Sequence, residues 1–189
     1  LISGFRDEGR AVLLVDHNVK SVAALVDRAV AMYLGEKIAE GTAAEVMRDE
    51  TVRRVYLGGA LMRAERAPQR SADGPPLLEV RDVEVRYGKA LAVQGVSLQV
   101  REGEFVALVG LNGSGKTTLF NAISGLVRYS GDIRWNGAAL AGLTPATIAR
   151  NGIVHCPETR ELFGDMTVRE NLNLGGHALE PAALAERLE

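Results

Sequence analysis

Cysteine is almost absent from this chain of 189 residues: Cys156 stands alone. One thiol makes no internal disulfide and no four-ligand zinc site, which points to a reducing compartment. Aromatic residues are also few, at 5%, and neither sign of charge dominates, with 22 Lys plus Arg against 24 Asp plus Glu. Without a basic excess or a Lys/Arg run, neither non-specific nucleic-acid binding nor attraction to an anionic lipid surface is expected. Long apolar runs are missing too. Stretches such as Ala11 to Val15 and Phe105 to Leu111 fall far short of the ~18 residues of a membrane helix. The chain opens on Leu1 with no initiator Met and no signal-peptide pattern, so it is read as a piece of something longer. What remains is a globular composition, 47% hydrophobic, long enough for one large domain or two modest ones.

Residues 63–76, RAERAPQRSADGPP, hold three of the six prolines in a polar setting and read as a linker. Before it, AVLLV (11–15) reads as a strand buried on both faces. Ser21 to Val30 reads as a helix through Val22, Leu25, Val26 and Ala29, and Ala31 to Leu34 as a short strand turning at Gly35-Glu36. Thr42 is an expected N-cap with Glu45 as its capping-box partner. After the linker the period becomes two. Leu78, Val80, Val83 and Val85, then Val93, Val96, Leu98 and Val100, predict paired strands with one wet face, and FVALV (105–109) an unbroken buried strand. A helix is predicted from Gly115 or Lys116 to about Ser124, closed by Gly125. Further expectations are a strand at 132–135 with an Asn136-Gly137 turn, a short helix after Pro145, and a strand at 152–156. A helix capped by Thr167 and a last helix over 181–189 complete them.

GLNGSGKT, from Gly110 to Thr117, satisfies G-x-x-x-x-G-K-[ST] between a predicted strand and a predicted helix. Glycines let the backbone curl until its N–H groups face one phosphate, and the following helix adds the positive end of its dipole. Lys116 can reach the β- and γ-phosphates and the Thr117 hydroxyl can ligate Mg²⁺. The competing reading, a glycine turn joining strand to helix, gives no reason for Lys and Thr at the helix start. The spacing of Gly110, Gly113 and Gly115 does not fit G-x-G-x-x-G, so a dinucleotide site loses. The pattern implies binding of a nucleoside triphosphate.

Residues 77–189 then resemble the start of an ABC transporter ATPase, through RYGKALAV, GLNGSGKTTLFNAISGL and GDIRWNG. The resemblance implies an α/β P-loop NTPase fold with an antiparallel β subdomain. It also implies a cofactor-binding set of Tyr87, Gly110, Asn112, Gly113, Ser114, Gly115, Lys116, Thr117 and Thr118, with ATP and Mg²⁺ as cofactors. Tyr87 would stack on adenine, against the alternative of an ordinary strand aromatic. GIVHCPETRELFGDMTVRENL (152–172) is similar to one of the two ATPases of branched-chain amino-acid importers. It places Glu158 where the family has a loop that senses Mg²⁺ and the attacking water and touches the membrane subunit. His155, Cys156 and Thr159 depart from that pattern. The alternative for Glu158 is a solvated loop acid, and Cys156 reads as a small buried residue rather than a nucleophile.

The opening third resembles the end of another such ATPase, through LLVDHNV, DRAVAMYLGEKIAEG and VYLG (55–58). There His17 would contact the γ-phosphate and help fix the attacking water. A tail before a head implies two ATPases fused in tandem, with residues 1–62 ending the first, 63–76 linking, and 77–189 beginning the second. His17 and Lys116 would then serve different ATP sites. No signature or Walker B motif occurs in the 189 residues, so the resemblance implies an ATPase in the parent protein and negligible turnover by this stretch alone. The implied partners are integral membrane permease subunits, a second ATPase domain packed head to tail and, indirectly, a solute-binding protein. The implied location is the cytoplasmic face of the cell membrane. Urea or amide importers and non-transport ABC ATPases are the alternative functions.

Overall fold

The computed structural model describes residues 9–17, 22–57, 74–157 and 162–176. They form two compact units, residues 1–145 and 146–189. The break falls after Pro145 rather than in the Pro-rich stretch, because strands from both sides of that stretch share one sheet.

The first sheet has the order β1-β6-β2-β3. It is made of β1 (Val12–Asp16), β2 (Arg28–Tyr33), β3 (Glu36–Gly41) and β6 (Phe105–Gly110). β1 and β2 flank β6 in parallel, and β3 closes the sheet antiparallel to β2. All six residues of β6 are buried, as an apolar strand with neighbours on both sides and covered on both faces must be. Helices α1 (Ala43–Arg48) and α2 (Glu50–Leu57) cover one face. There Val46, Met47 and Val52 join Val22, Val26, Ala29, Ala31, Phe105, Ala107 and Val109 in one core. Arg28, whose Nε donates to Glu104 at 2.7 Å and which also pairs with Glu40, ties β2 to β3 and to the start of β6.

The second sheet, β5-β4-β7-β8, is antiparallel and joins β4 (Pro76–Tyr87), β5 (Ala90–Arg101), β7 (Ser130–Trp135) and β8 (Ala138–Ala139). Val80, Val83, Val85, Val93, Val96, Leu98 and Val100 are buried while their neighbours reach solvent. The expected one-sided alternation is present. Asn136 and Gly137, both at positive φ, make the two-residue turn between β7 and β8.

Helix α3 (Lys116–Ile123) follows β6. It ends in a Schellman motif, with Leu126 N–H donating to Asn121 O at 2.8 Å and Gly125 N–H to Ala122 O at 3.1 Å. Helix α4 (Pro145–Arg150) comes next, and α5 (Val168–Gly175) lies within the second unit. The expected capping box of Thr42 with Glu45 is present, and the expected Thr167 cap proves to be a second box, with Glu170 as its partner.

Three expectations change. Of the helix expected over 21–30, Val22 and Ala23 are helical and the last turn closes with Leu25 and Val26 N–H on Val22 O, Ser21 lies outside the described residues, and the strand then starts at Arg28 rather than Ala31. The run of Val and Ala suits either period, and pairing on both sides with β3 and β6 decides it. Residues 152–157 are not a strand, since a strand exists only against a partner and none pairs with them among the described residues. Cys156 is exposed rather than buried. The final helix, most of the linker and Gly58 lie outside the described residues.

Candidate functional site

The site is built where β6 ends and α3 begins. Gly110 closes β6, level with Met32 of β2. A Cβ on Gly110 would stand 2.8 Å from Met32 O and collide with the Ser114 hydroxyl, so the loop leaves the sheet through a space that only glycine fits. Gly115, at φ +96°, is the N-cap of α3, and a Cβ there would meet Ala92 O at 2.6 Å. Glycine has no side chain with which to cap the helix, and no acid sits in the first turn of α3. The dipole end is therefore not neutralised locally.

Lys116 is buried and folds back into the loop. Its Nζ donates to Gly110 O at 2.7 Å and Leu111 O at 2.9 Å, and lies 3.4 Å from Ser114 Oγ. Buried charge is tolerated only when hydrogen-bonded, and these carbonyls hold the ammonium among the N–H groups of the loop. Leu111 O also accepts Ser114 N–H at 3.1 Å. Asn112, Gly113 and Thr117 are exposed and Thr118 is half-buried. Thr117 thus offers a hydroxyl oxygen to solvent at the second position of α3.

The β2–β3 turn braces the loop. Gly35 N–H donates to Ser114 O at 3.1 Å, and Gly35 O accepts Gln94 N–H at 2.8 Å. The phosphate loop is thus fastened to residues from before the Pro-rich stretch and to β5. These braces escaped sequence reasoning, because neither Gly35 nor Gln94 belongs to the phosphate-loop motif.

His17 follows β1, whose last residue, Asp16, is level with Val109. It stands at the carboxyl edge of the strand beside the one that carries the loop. Its ring is 74% exposed, and Nδ1 lies 3.6 Å from Asp16 Oδ1. The strands that lead to His17 and to the loop of Lys116 are therefore neighbours in one sheet, although the two motifs resemble different ATPases. Tyr87 ends β4 beside the β4–β5 turn and is half-exposed. Glu158 lies outside the described residues.

Whether this loop suits a nucleoside triphosphate with Mg²⁺ is answered by its donors. Glycines fit where side chains collide, an ammonium sits inside, and a helix N-terminus carries no acid, so the cradle selects an anion. Thr117 is a single hard-oxygen donor, and no group of three or more acids, His or Cys able to hold a metal exists among the described residues. A Mg²⁺ ion here would take most of its ligands from phosphate and water, as Mg²⁺ commonly does.

Fold and loop together define a P-loop nucleotide-binding domain. Residues 93–189 match the family model described as ABC transporter, and residues 36–61 the model described as branched-chain amino acid ATP-binding cassette transporter. The first match covers more than half of the chain, and the protein belongs to the ABC transporter family. The high-affinity branched-chain amino acid transport ATP-binding protein BraF of Pseudomonas aeruginosa is 43% identical over 103 residues, 54% of this chain and 40% of BraF. The ribose import ATP-binding protein RbsA of Pseudomonas putida is 32% identical over 180 residues, 92% of this chain and 34% of RbsA. A solved structure of the ATP binding subunit of an ABC transporter is 39% identical. It aligns with a TM-score of 0.51 over 56% of this chain and 45% of its own. The chain thus spans about two fifths of BraF and a third of RbsA. ABC ATPases bind ATP, generally with Mg²⁺.

Proposed function

We propose that this chain spans the junction of two tandem ATP-binding domains of an ABC importer, with branched-chain amino acids as the class of cargo. One observation carries the reading. The match to the branched-chain model, at residues 36–61, precedes the ABC transporter match at 93–189. The RbsA alignment supports it, because it extends over 92% of this chain inside a protein roughly three times as long. The same order of segments therefore occurs within one continuous chain. Residues 1–62 would end the first domain and 77–189 begin the second. The cargo class rests on the match at 36–61 and on BraF.

In this reading the Gly110–Thr117 loop holds the phosphates of ATP. Lys116 exchanges its carbonyl partners for phosphate oxygens, the N–H groups at the start of α3 face the same anion, and Thr117 with Thr118 adds hydroxyls. Bound Mg²⁺ supplies charge neutralisation of the phosphates, with Thr117 and Glu158 as the protein groups offered to it. Tyr87 takes the adenine, while His17, in the segment that ends the first domain, serves the γ-phosphate at that domain's own ATP site. Hydrolysis belongs to the whole importer, which acts with permease subunits, a second ATPase domain and a solute-binding protein at the cytoplasmic membrane face. The 189 residues bind Mg·ATP without sustained turnover.

The test is a thermal melt with and without Mg·ATP. Wild type is expected to gain up to about 2.7 kcal/mol at a hundredfold excess over Kd, and Lys116→Ala to gain nothing. Equal shifts in the two proteins would sink the nucleotide site. A Lys116-dependent turnover on the order of 1 per second would overturn the assignment as an incomplete ATPase.

A further inference from the structure

Asparagine is followed by glycine at Asn112-Gly113, Asn136-Gly137 and Asn151-Gly152. Asparagine in that setting is chemically labile. The nitrogen of the next residue can attack the side-chain amide carbon, and a glycine there carries no Cβ to obstruct the approach. All of these pairs are exposed, so exposure does not separate them. Their hydrogen bonds do. Asn151 and Gly152 are tied into the end of α4, Asn151 N–H donating to Thr147 O and Gly152 N–H to Ala149 O, both at 3.0 Å. Asn136 and Gly137 are held in the β7–β8 turn, where Asn136 N–H donates to Leu77 O at 2.8 Å and Gly137 O accepts from Arg134 at 3.2 Å.

Asn112-Gly113 is held less firmly, at the outer corner of the phosphate loop. Leu111 to Ser114 is a turn closed by Ser114 N–H on Leu111 O at 3.1 Å, with Gly113 at φ +79° in its third place, as a type II turn requires. Among the described residues, neither the Asn112 side chain nor the Gly113 N–H makes a hydrogen bond. A Cβ on Gly113 would meet nothing within 4 Å, so the peptide has room to rotate toward the asparagine side chain.

We infer that Asn112 is a site of self-modification in the empty phosphate loop, converted by water to aspartate or isoaspartate, and that bound nucleotide protects it. Gly113 N gives its proton to hydroxide and bonds to Asn112 Cγ. The Cγ–Nδ2 bond breaks, and the amide leaves as ammonia, taking a proton from water and so returning the hydroxide. Water then opens the cyclic imide. Cleavage between Gly113 N and Cγ leaves aspartate, and cleavage between Gly113 N and the Asn112 carbonyl carbon leaves isoaspartate, whose main chain runs through Cγ. One water is consumed, one ammonia is released, and nothing is oxidised or reduced. Either product sets a carboxylate in a cradle that selects an anion, so the phosphates are repelled. Isoaspartate also lengthens the loop. The protection rests on the nucleotide-site reading above: a Gly113 N–H that faces a phosphate is tied up as a donor and the turn can no longer rotate. Occupied protein keeps its loop, and protein left empty loses it with time.

The experiment ages the full 189-residue chain in mildly alkaline buffer, with and without Mg·ATP, and digests samples with trypsin at intervals. Cleavage after Arg101, Lys116, Arg134, Arg150 and Arg160 puts each Asn-Gly pair in its own peptide, and mass spectrometry reads the conversion of amide to acid in each. Asn112 is expected to convert fastest in the empty protein. At a hundredfold excess of Mg·ATP over Kd only about 1% of the loops stand empty, so its conversion should slow by about tenfold or more. The thermal shift with Mg·ATP should fall in step with conversion, whereas aged Asn112→Ser keeps whatever shift it shows when fresh. Conversion of Asn112 no faster than that of Asn136 or Asn151 overturns the site. Conversion unaffected by Mg·ATP, in a protein whose melting does respond to it, overturns the protection and leaves the nucleotide reading standing. No melting response in fresh wild type overturns the nucleotide reading and the protection with it. Aged Asn112→Ser losing its shift as wild type does overturns the link from modification to binding.

Discussion

Helices α1 and α5 start in one way and α3 in another. In the first two a threonine hydroxyl accepts the N3 backbone N–H, and the N3 glutamate returns to the threonine, with Thr42 N–H to Glu45 at 2.8 Å and Thr167 N–H to Glu170 at 2.7 Å. Their end groups are satisfied from within and an acid sits on the dipole. At α3 the corresponding residues are Gly115 and Thr118, with no side-chain cap and no acid. A helix that only has to stop fraying closes itself. A helix whose N-terminus must receive an anion leaves its N–H groups uncapped and keeps negative side chains away.

The largest effect is expected from Gly115→Ala. The φ of +96° is strained for any L side chain, and the new Cβ would stand 2.6 Å from a backbone oxygen that cannot swing aside. The two penalties together come to roughly 2–5 kcal/mol. Urea unfolding should show that loss, and the nucleotide-induced thermal shift should vanish with it. A variant within 1 kcal/mol of wild type would mean that the open start of α3 does not depend on glycine.

Next is Thr118→Glu, which gives α3 the N3 acid of the other two helices. The helix should gain about 0.3–1 kcal/mol from its dipole, while Mg·ATP binding weakens about tenfold from the new carboxylate beside the phosphates. Opposite signs in the two measurements are the expected signature. Parallel changes would remove the distinction between closed and receptive ends.

The smallest effect concerns pH. The Thr167 hydroxyl and backbone N–H hold the Glu170 carboxyl below its ordinary value of 4.5. Because they bind the ionised form, their contribution is fully present above about 4.5 and is lost as pH falls through the lowered folded value. Amide protection of residues 168–170 in α5 should therefore fade as pH falls below about 4.5. In Glu170→Gln it should not follow that titration. A wild-type profile identical to that of Glu170→Gln would show that the box does not hold the helix end.

The local signals in the sequence were the reliable ones. Thr42 with Glu45, the Thr167 cap, the Asn136-Gly137 turn and the Gly110–Thr117 loop each depend on residues a few positions apart, and each has the expected geometry. The alternation in β4 and β5 was legible for the same reason. The errors lie where partners decide. Residues 28–30 carry a pattern that fits a helix, yet β3 and β6 claim them for a sheet. Residues 152–157 carry a strand-like pattern with no strand to join. The site divides likewise, since the loop was readable from its glycines and Lys116. The braces at Gly35 and Gln94 are non-local to the loop and left no mark around it.

The placement of β6 between β1 and β2 also has a kinetic side. Its partners lie 93 and 78 positions earlier in the chain, at Val12 for Phe105 and Arg28 for Val106. Such distant pairings form slowly, because the intervening chain must be ordered before the contacts repay it. During synthesis the strands β1 and β2 emerge first and wait, apolar and unpaired along the edges that β6 will occupy, which makes them the stretch most in need of protection from aggregation. The phosphate loop can take shape only when β6 arrives between them, so nucleotide-binding competence marks the end of folding in this unit.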